Sequence, residues 1–291
     1  MLEKRPVDSF GATALIAFAA LLALNQVAVK VTGGGFGPVF QAGLRSAGAV
    51  VILLAWMQFR GIKFDLPRNA IFWGVLSGAI FAYEFICLFI ALDLTTVSRA
   101  SVIFYTMPVW LALAAHVLLP GERLTPVRTL GLALAVGGVI LALFDRSNGQ
   151  ASLAGDLLAL IASFGWAAIA LLVRITPLST VKPVVQLLFQ VAVSAPILLI
   201  LAPLFGDLFR APTALHWAGL AFQTVAVASI GFLVWFWLMT IYRASGVAAF
   251  SFLSPVFAVI FGWALLGEQI GPLVWTALAL VAAGIYLINR K

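Results

Sequence analysis

The sequence predicts an all-α membrane protein of ten transmembrane helices, arranged as two five-helix repeats of inverted topology. Three observations lead there. Of 291 residues, 64% are hydrophobic and only 9% charged, against roughly 25% charged in an ordinary soluble chain, so a water-facing surface of usual density cannot be covered. Apolar runs of about 20 residues, the length that crosses a bilayer core, follow one another along the whole chain. The second half also repeats landmarks of the first at a nearly constant offset.

Apolar stretches bounded by Gly, Pro and charge place helices over 11–30, 39–59, 70–92, 98–119, 126–144, 155–174, 183–205, 215–241, 245–266 and 271–289. The first follows Lys4 and Arg5 and resembles a signal peptide only superficially. It lacks a convincing cleavage site and is followed by more spans, so it reads as a permanent helix. Connections are short, which makes consecutive helices antiparallel neighbours and leaves no room for a soluble domain. Cys87 is the one cysteine and lies inside an apolar run, so no intrachain disulfide exists.

The net charge of +7 comes from 17 Lys and Arg against 10 Asp and Glu. The basic residues are scattered between apolar runs, a pattern of membrane topology rather than of nucleic-acid binding. With the N-terminus inside, Lys4, Arg5, Arg60, Lys63, Arg68, Arg123, Arg128, Arg174, Lys182, Arg243, Arg290 and Lys291 face the cytoplasm. Lys30, Arg99, Arg146 and Arg210 lie outside, and Arg45 stays within a span. The positive-inside rule thus puts both termini of a multi-pass inner-membrane protein in the cytoplasm.

The repeat divides the chain into 1–150 and 151–291, five spans each. Gly11 to Lys30 matches Gly155 to Arg174, Gln41 matches Gln186, and Trp73 matches Trp217. Ser98 falls on Ser245, Pro108 on Pro255, Gly121-Glu122 on Gly267-Glu268, and Gly138 on Gly284. An odd number of spans per half inverts the second copy. Two inverted copies can exchange conformations, which supplies alternating access without further parts.

These landmarks resemble the drug/metabolite transporter superfamily, specifically its ten-helix EamA type. The resemblance is carried by LALNQVAVK (22–30), which has Asn25 and Lys30 in place but Leu22 where the family has Trp, and by PVFQAGLR (38–45). It is carried further by RASVIFYTMPVW (99–110) with LLPGERLT (118–125), and by their echo AAFSFLSPVFAVIFGWALLGEQI (248–270). It covers essentially the whole chain. It implies a secondary transporter without covalent chemistry or cofactor, often an exporter of amino acids or other metabolites. The central cavity would lie between two four-helix bundles, with the last helix of each repeat at the periphery. Among family members the chain looks most like the aromatic amino-acid exporters.

Two opposite charges stand inside spans, Arg45 and Glu84, at depths of roughly 9 and 12 Å from the outer helix ends at 1.5 Å per residue. Each is costly if unpaired in hydrocarbon. Three readings stay open: a structural salt bridge, a cavity pair holding the carboxylate and ammonium of a zwitterion, and proton coupling at Glu84. At similar depth Asn25, Tyr83, Tyr105, Trp166, Gln190 and Gln223 complete a candidate pocket, in which Tyr83, Tyr105 and Trp166 offer an aromatic platform. Trp56, Trp73, Trp217 and Trp275 lie near span ends as interface anchors.

Pro108 and Pro255 fall inside helices 4 and 9, where each would free the carbonyl four residues earlier, at Phe104 and Ser251, and act as a gating hinge. The run Gly33-Gly34-Gly35-Phe36-Gly37-Pro38 reads as a flexible outer link, since it lacks the GK[ST] ending of a phosphate cradle. Gly131, Gly137, Gly138 and Gly284 permit close helix approach, within one subunit or across a homodimer. His116 and His216 read as hydrogen-bonded residues near the two membrane faces.

An intramembrane enzyme lacks a nucleophile-base pair or metal motif here, and no metal ligand set is expected. A channel lacks a filter signature. A non-transporting receptor differs from a carrier only by the absence of flux. The expected partners are a small-molecule substrate and membrane lipids, in a monomer or homodimer. The expected activity is export of aromatic and other neutral amino acids or similar metabolites, with a proton-coupled exporter of drugs or other metabolites as the alternative.

Overall fold

The computed structural model describes residues 7–119, 124–144, 152–242 and 250–289. The topological charges Lys4, Arg5, Arg123, Arg146, Arg243, Arg290 and Lys291 lie outside these residues, as do the repeat landmarks Gly121, Glu122 and Ser245 and the division between 150 and 151. Nine helices among the described residues are long and apolar enough to cross a membrane, and a shorter apolar helix, Leu253–Leu266, makes a tenth.

The first three spans are α1 (Ser9–Thr32), α2 (Pro38–Phe59) and α3 (Arg68–Leu94). Asp8 caps α1 by accepting the Gly11 N–H at 2.8 Å. Pro38 opens α2 at a position where its missing N–H costs nothing. The fourth span is two helices, α4 (Val97–Phe104) and α5 (Met107–Leu118), broken at Tyr105-Thr106. Then follow α6 (Pro126–Phe144), α7 (Leu153–Ile175) capped by Ser152, and α8 (Pro183–Leu201). The eighth span runs from α9 (Ala214–Ala221) through a π-helix, Phe222–Gly231, into α10 (Phe232–Ile241). The last two are α11 (Leu253–Leu266) and α12 (Pro272–Asn289).

The proline expectation is corrected here. Pro108 does not sit inside a continuous helix. It lies in the first turn of α5, after a break, and the Val109 N–H bonds the Thr106 carbonyl. Pro255 likewise occupies the first turn of α11 rather than an interior. A proline is tolerated in a first turn because the N–H it lacks would be unbonded there in any case.

The principal helix contacts pair α6 with α12, α3 with α7 and α8, α2 with α8 and the π-helix, α1 with α9 and α11, and α4 with α7 and α11. Exchanging each span for the one five places along maps these pairings onto each other. Lipid gives apolar helices no hydrophobic reason to associate, so close approach has to come from small residues. A Cβ on Gly284 would stand 2.5 Å from the Gly131 carbonyl, and one on Gly138 would stand 2.8 Å from the Ala277 carbonyl. These glycines therefore serve the α6–α12 contact within the subunit, while Gly137 faces open space. The same device brings α3 to α8 at Gly74 and Gly78, against Phe189 and Val193.

The described links between the first and second, third and fourth, seventh and eighth, and ninth and tenth spans lie at one end of the bundle, called the turn face here because it carries residues 33–37. The glycine run there is a locked turn, not a flexible link. Gly33, Gly34 and Gly35 donate to the Val29, Val31 and Thr32 carbonyls at 3.0 Å, and Gly37 donates to Leu208 at 3.0 Å. Phe36 and Phe209 form a β-bridge. A Cβ on Gly35 would meet the His216 ring at 2.5 Å, so close approach, not conformational freedom, requires glycine.

Candidate functional site

Two polar regions stand out, one at the middle of the bundle and one at the turn face. The central one is defined by hydrogen-bonding groups with no protein partner. Arg45 on α2 is 4% exposed and Glu84 on α3 is 3% exposed. The Arg45 Nε and the Glu84 Oε2 are buried without a hydrogen-bond partner, as are Asn25 Oδ1, Gln26 Oε1, Gln41 Oε1 and Ser101 Oγ. Buried polar groups are nearly always bonded, and six unmet atoms on four adjacent spans mark a site that expects a ligand or water.

Arg45 and Glu84 do not pair. Ion pairs within 4 Å are formed elsewhere, by Arg99 with Asp156 and by Arg210 with Asp93. The Arg45 guanidinium instead lies over aromatic faces, 4.8 Å from the Phe85 ring centre and 5.9 Å from that of Phe89. Glu84 packs toward α7, where a Cβ on Gly165 would lie 3.2 Å from its own Cβ. A direct salt bridge is thereby removed, although the two opposite charges still act on each other electrostatically.

The remaining sequence candidates divide. Asn25 and Tyr105 are buried near the centre. The Tyr105 hydroxyl accepts from Gln26 at 3.5 Å, and its ring stands edge-on to Trp166, with centroids 6.1 Å apart. Trp166 stacks on Phe104 with centroids at 5.0 Å. The aromatic platform is therefore Phe104, Tyr105 and Trp166. Tyr83 is 54% exposed on the outer surface and does not join it. Gln190 is tied to Ser77, donating at 2.9 Å. Gln223 is fully buried and spent on structure: it donates to the Ala28 carbonyl and to Thr32, and accepts from Gln41 at 3.1 Å. A narrow crevice with room for little more than a water molecule lies beside Arg45, lined by Arg45, Ser46, Phe81, Phe85, Leu187, Val191, Ala228 and Phe232.

The turn-face region converges on the link between α3 and α4, and sequence reasoning did not single it out. Glu268, buried between α11 and α12, accepts from the Val97 N–H at 2.6 Å, the Ser98 N–H at 2.9 Å and the Ser98 hydroxyl at 2.5 Å. It caps the start of α4 across the halves of the molecule, as a carboxylate at a helix N-terminus should. Asp156, fully buried at the start of α7, holds Arg99 at 2.6 Å and accepts from Thr95 at 3.0 Å, while Arg99 also donates to the Ala142 carbonyl. Arg210 pairs with Asp93 at 2.8 Å and donates to the Gly33 carbonyl, and the Asp93 carboxylate raises its pKa further above the ordinary arginine value. Lys30 donates to the Asp93 and Thr95 carbonyls at 3.2 and 2.9 Å. The one signal in the sequence was the repeated Gly-Glu at 121–122 and 267–268. Its partner at Val97-Ser98 is some 170 residues away in the chain.

At the opposite end the Tyr242 hydroxyl donates to Asp8 at 2.7 Å. His116 accepts from the Leu124 N–H, and His216 caps its own helix by accepting from the Thr213 N–H, both hydrogen-bonded as expected.

A multi-pass helical bundle with unmet polar groups at its centre and a bonded seal at one end has the form of a membrane carrier. Comparison with known proteins gives the family: the EamA-like transporter family model matches residues 9–144 and 153–290, and the chain belongs to that family, within the drug/metabolite transporter superfamily. Among similar proteins, an uncharacterized transporter of Synechocystis is 28% identical, covering 95% of this chain and 89% of its own. A protein of Escherichia coli named a probable amino-acid metabolite efflux pump is 26% identical, covering 91% of this chain and 89% of its own. A solved crystal structure at 21% identity shares the fold with a TM-score of 0.67, covering 95% of this chain and 96% of that one.

Proposed function

We propose that this transporter exports amino acids, aromatic and other neutral ones, or similar small metabolites across the cytoplasmic membrane by alternating access, with both termini in the cytoplasm. The single observation that carries the reading is Arg45: a buried guanidinium, stacked on Phe85, whose Nε has no protein acceptor. A guanidinium left without acceptors is strongly disfavoured unless an anionic group arrives to receive its N–H donors, and a carboxylate fits that fork. The name of the Escherichia coli relative supports the substrate class. The division into two exchanging five-span halves is supported by the pairing pattern, which is kept when each span is exchanged for the one five places along.

The test is counterflow of labelled phenylalanine, threonine and methionine into proteoliposomes preloaded with unlabelled substrate, without a pH gradient. Uptake above protein-free liposomes, lost in Arg45→Gln, is expected. No uptake of any of the three by folded protein rejects the amino-acid reading.

Proton coupling is the second reading, favoured by Glu84, a titratable group with an unmet oxygen and no ion pair with Arg45. An imposed pH gradient that accelerates uptake in the wild type but not in Glu84→Gln supports it. Equal acceleration in both rejects it.

A further inference from the structure

We infer that Glu84, Asn25, Gln26 and Ser101 form an ammonium subsite, so that cargo is recognised by a primary amine as well as by its carboxylate and a deaminated analogue is discriminated against. The inference rests on the reading that Arg45 holds a substrate carboxylate. It adds Gln26 and Ser101 to the cargo-binding groups and gives Glu84 a specificity-determining role.

The unmet buried groups at the centre divide by kind. On α2 the Arg45 Nε is a donor without an acceptor. On α1, α3 and α4 the unmet atoms are oxygens: Asn25 Oδ1 and Gln26 Oε1, Glu84 Oε2, and Ser101 Oγ. None of these four residues is more than 6% exposed. The three helices touch one another pairwise. Gln26 reaches from α1 to the Tyr105 hydroxyl beyond the end of α4, and Ser101 lies one turn before Tyr105, its carbonyl accepting the Tyr105 N–H at 3.0 Å. Glu84 adjoins α7 at Gly165, next to Trp166, whose ring meets that of Tyr105. Arg45 acts electrostatically on both Glu84 and Tyr105. The other unmet oxygen, Gln41 Oε1, sits on α2 one turn nearer the turn face, where Gln41 is bonded to Gln223.

A cationic donor on one helix, with a carboxylate and three neutral acceptors on others, is the complement of a zwitterion. A primary ammonium carries three N–H donors and no acceptor, so a carboxylate oxygen and neutral oxygens satisfy it in full. A ligand that keeps the carboxylate and loses the amine leaves those oxygens unmet, and an unmet buried polar group is costly. The crevice beside Arg45 has room for little more than a water molecule, so cargo is received as the helices part. The subsite is defined by its unmet groups and not by a preformed void.

The experiment compares labelled phenylalanine with labelled 3-phenylpropionate, the same molecule without its amine, for equilibrium binding to the purified full-length protein in nanodiscs by scintillation proximity. Phenylalanine should bind more tightly by about tenfold or more, the scale of a hydrogen bond made to a charged group. Glu84→Gln, checked for folding by its thermal midpoint, should bind the two probes alike. Ser101→Ala, which removes one uncharged acceptor, should weaken phenylalanine by about fivefold and leave 3-phenylpropionate unchanged. The comparison of probes on the unaltered protein does not depend on whether a variant folds. There, 3-phenylpropionate binding as tightly as phenylalanine means that water serves these oxygens, which overturns the inference while leaving amino-acid transport standing. A folded Glu84→Gln that keeps the full preference for phenylalanine overturns it as well. Binding of neither probe also overturns it, and the counterflow assay then decides the transport reading separately.

Discussion

Replacing Glu268 by Gln should loosen the seal at the turn face, and the size of the effect follows from the bonds counted there. The carboxylate accepts three hydrogen bonds from Val97 and Ser98, and it is 5% exposed, so water does not replace what is lost. An amide keeps the shape but offers one acceptor oxygen. Its NH2 must face either the Val97 N–H or the Ser98 pair, which places donor against donor and leaves a backbone group unbonded. A hydrogen bond to a charged group contributes about 1.5–3 kcal/mol, so the loss comes to about 3 kcal/mol. If the clasp forms only when the turn face is closed, that shifts the closed-to-open ratio on the order of 100-fold. The assay is the distance distribution between spin labels at Leu94→Cys and Leu273→Cys, exposed positions flanking the clasp, in a Cys87→Ala background. A longer-distance population should appear in Glu268→Gln and grow in Glu268→Ala. Wild-type distributions in both variants, with normal folding, would refute the reasoning.

Other expectations concern stability and packing. Asp156→Ala leaves Arg99 as an uncompensated buried charge and should destabilise by about 3–5 kcal/mol, whereas the double variant Arg99→Met/Asp156→Ala should recover much of that; thermal unfolding in detergent reads both, and a double variant no better than the single one contradicts the account. Gly284→Val should overpack the α6–α12 contact, at about 1–3 kcal/mol, seen as a lower thermal midpoint, while Gly137→Val, on the open side of α6, should leave it unchanged. Gly35→Ala should destabilise by a similar amount, with His216→Ala in the same chain restoring most of the loss.

Much of the fold was legible because span length and apolar composition are local properties. The break at Tyr105-Thr106 and the π-helix over Phe222–Gly231 were not. A helix that adds one residue to a turn keeps the same apolar composition, and a proline in a sequence reads the same in a helix interior as in a first turn. Arg45 and Glu84 were found because a charge inside an apolar run is conspicuous, yet their separation depends on side-chain direction, which spacing does not give. Tyr83 shows the same limit, since one residue of helix turns a side chain by about 100° and sends it to lipid while Glu84 points inward. Asp156 passed unremarked, and Glu268 was noted only as a repeat landmark, because each sits at a span end, where a carboxylate is ordinary. Their partners come from another part of the chain, and only the packed bundle brings them together.

The stretch from Asp93 to Arg99 is gripped from four directions: by Lys30 on α1, Arg210 after α8, Asp156 on α7 and Glu268 after α11. Because these grips share one short piece of backbone, a displacement of that stretch would be felt at once by elements from both halves of the sequence.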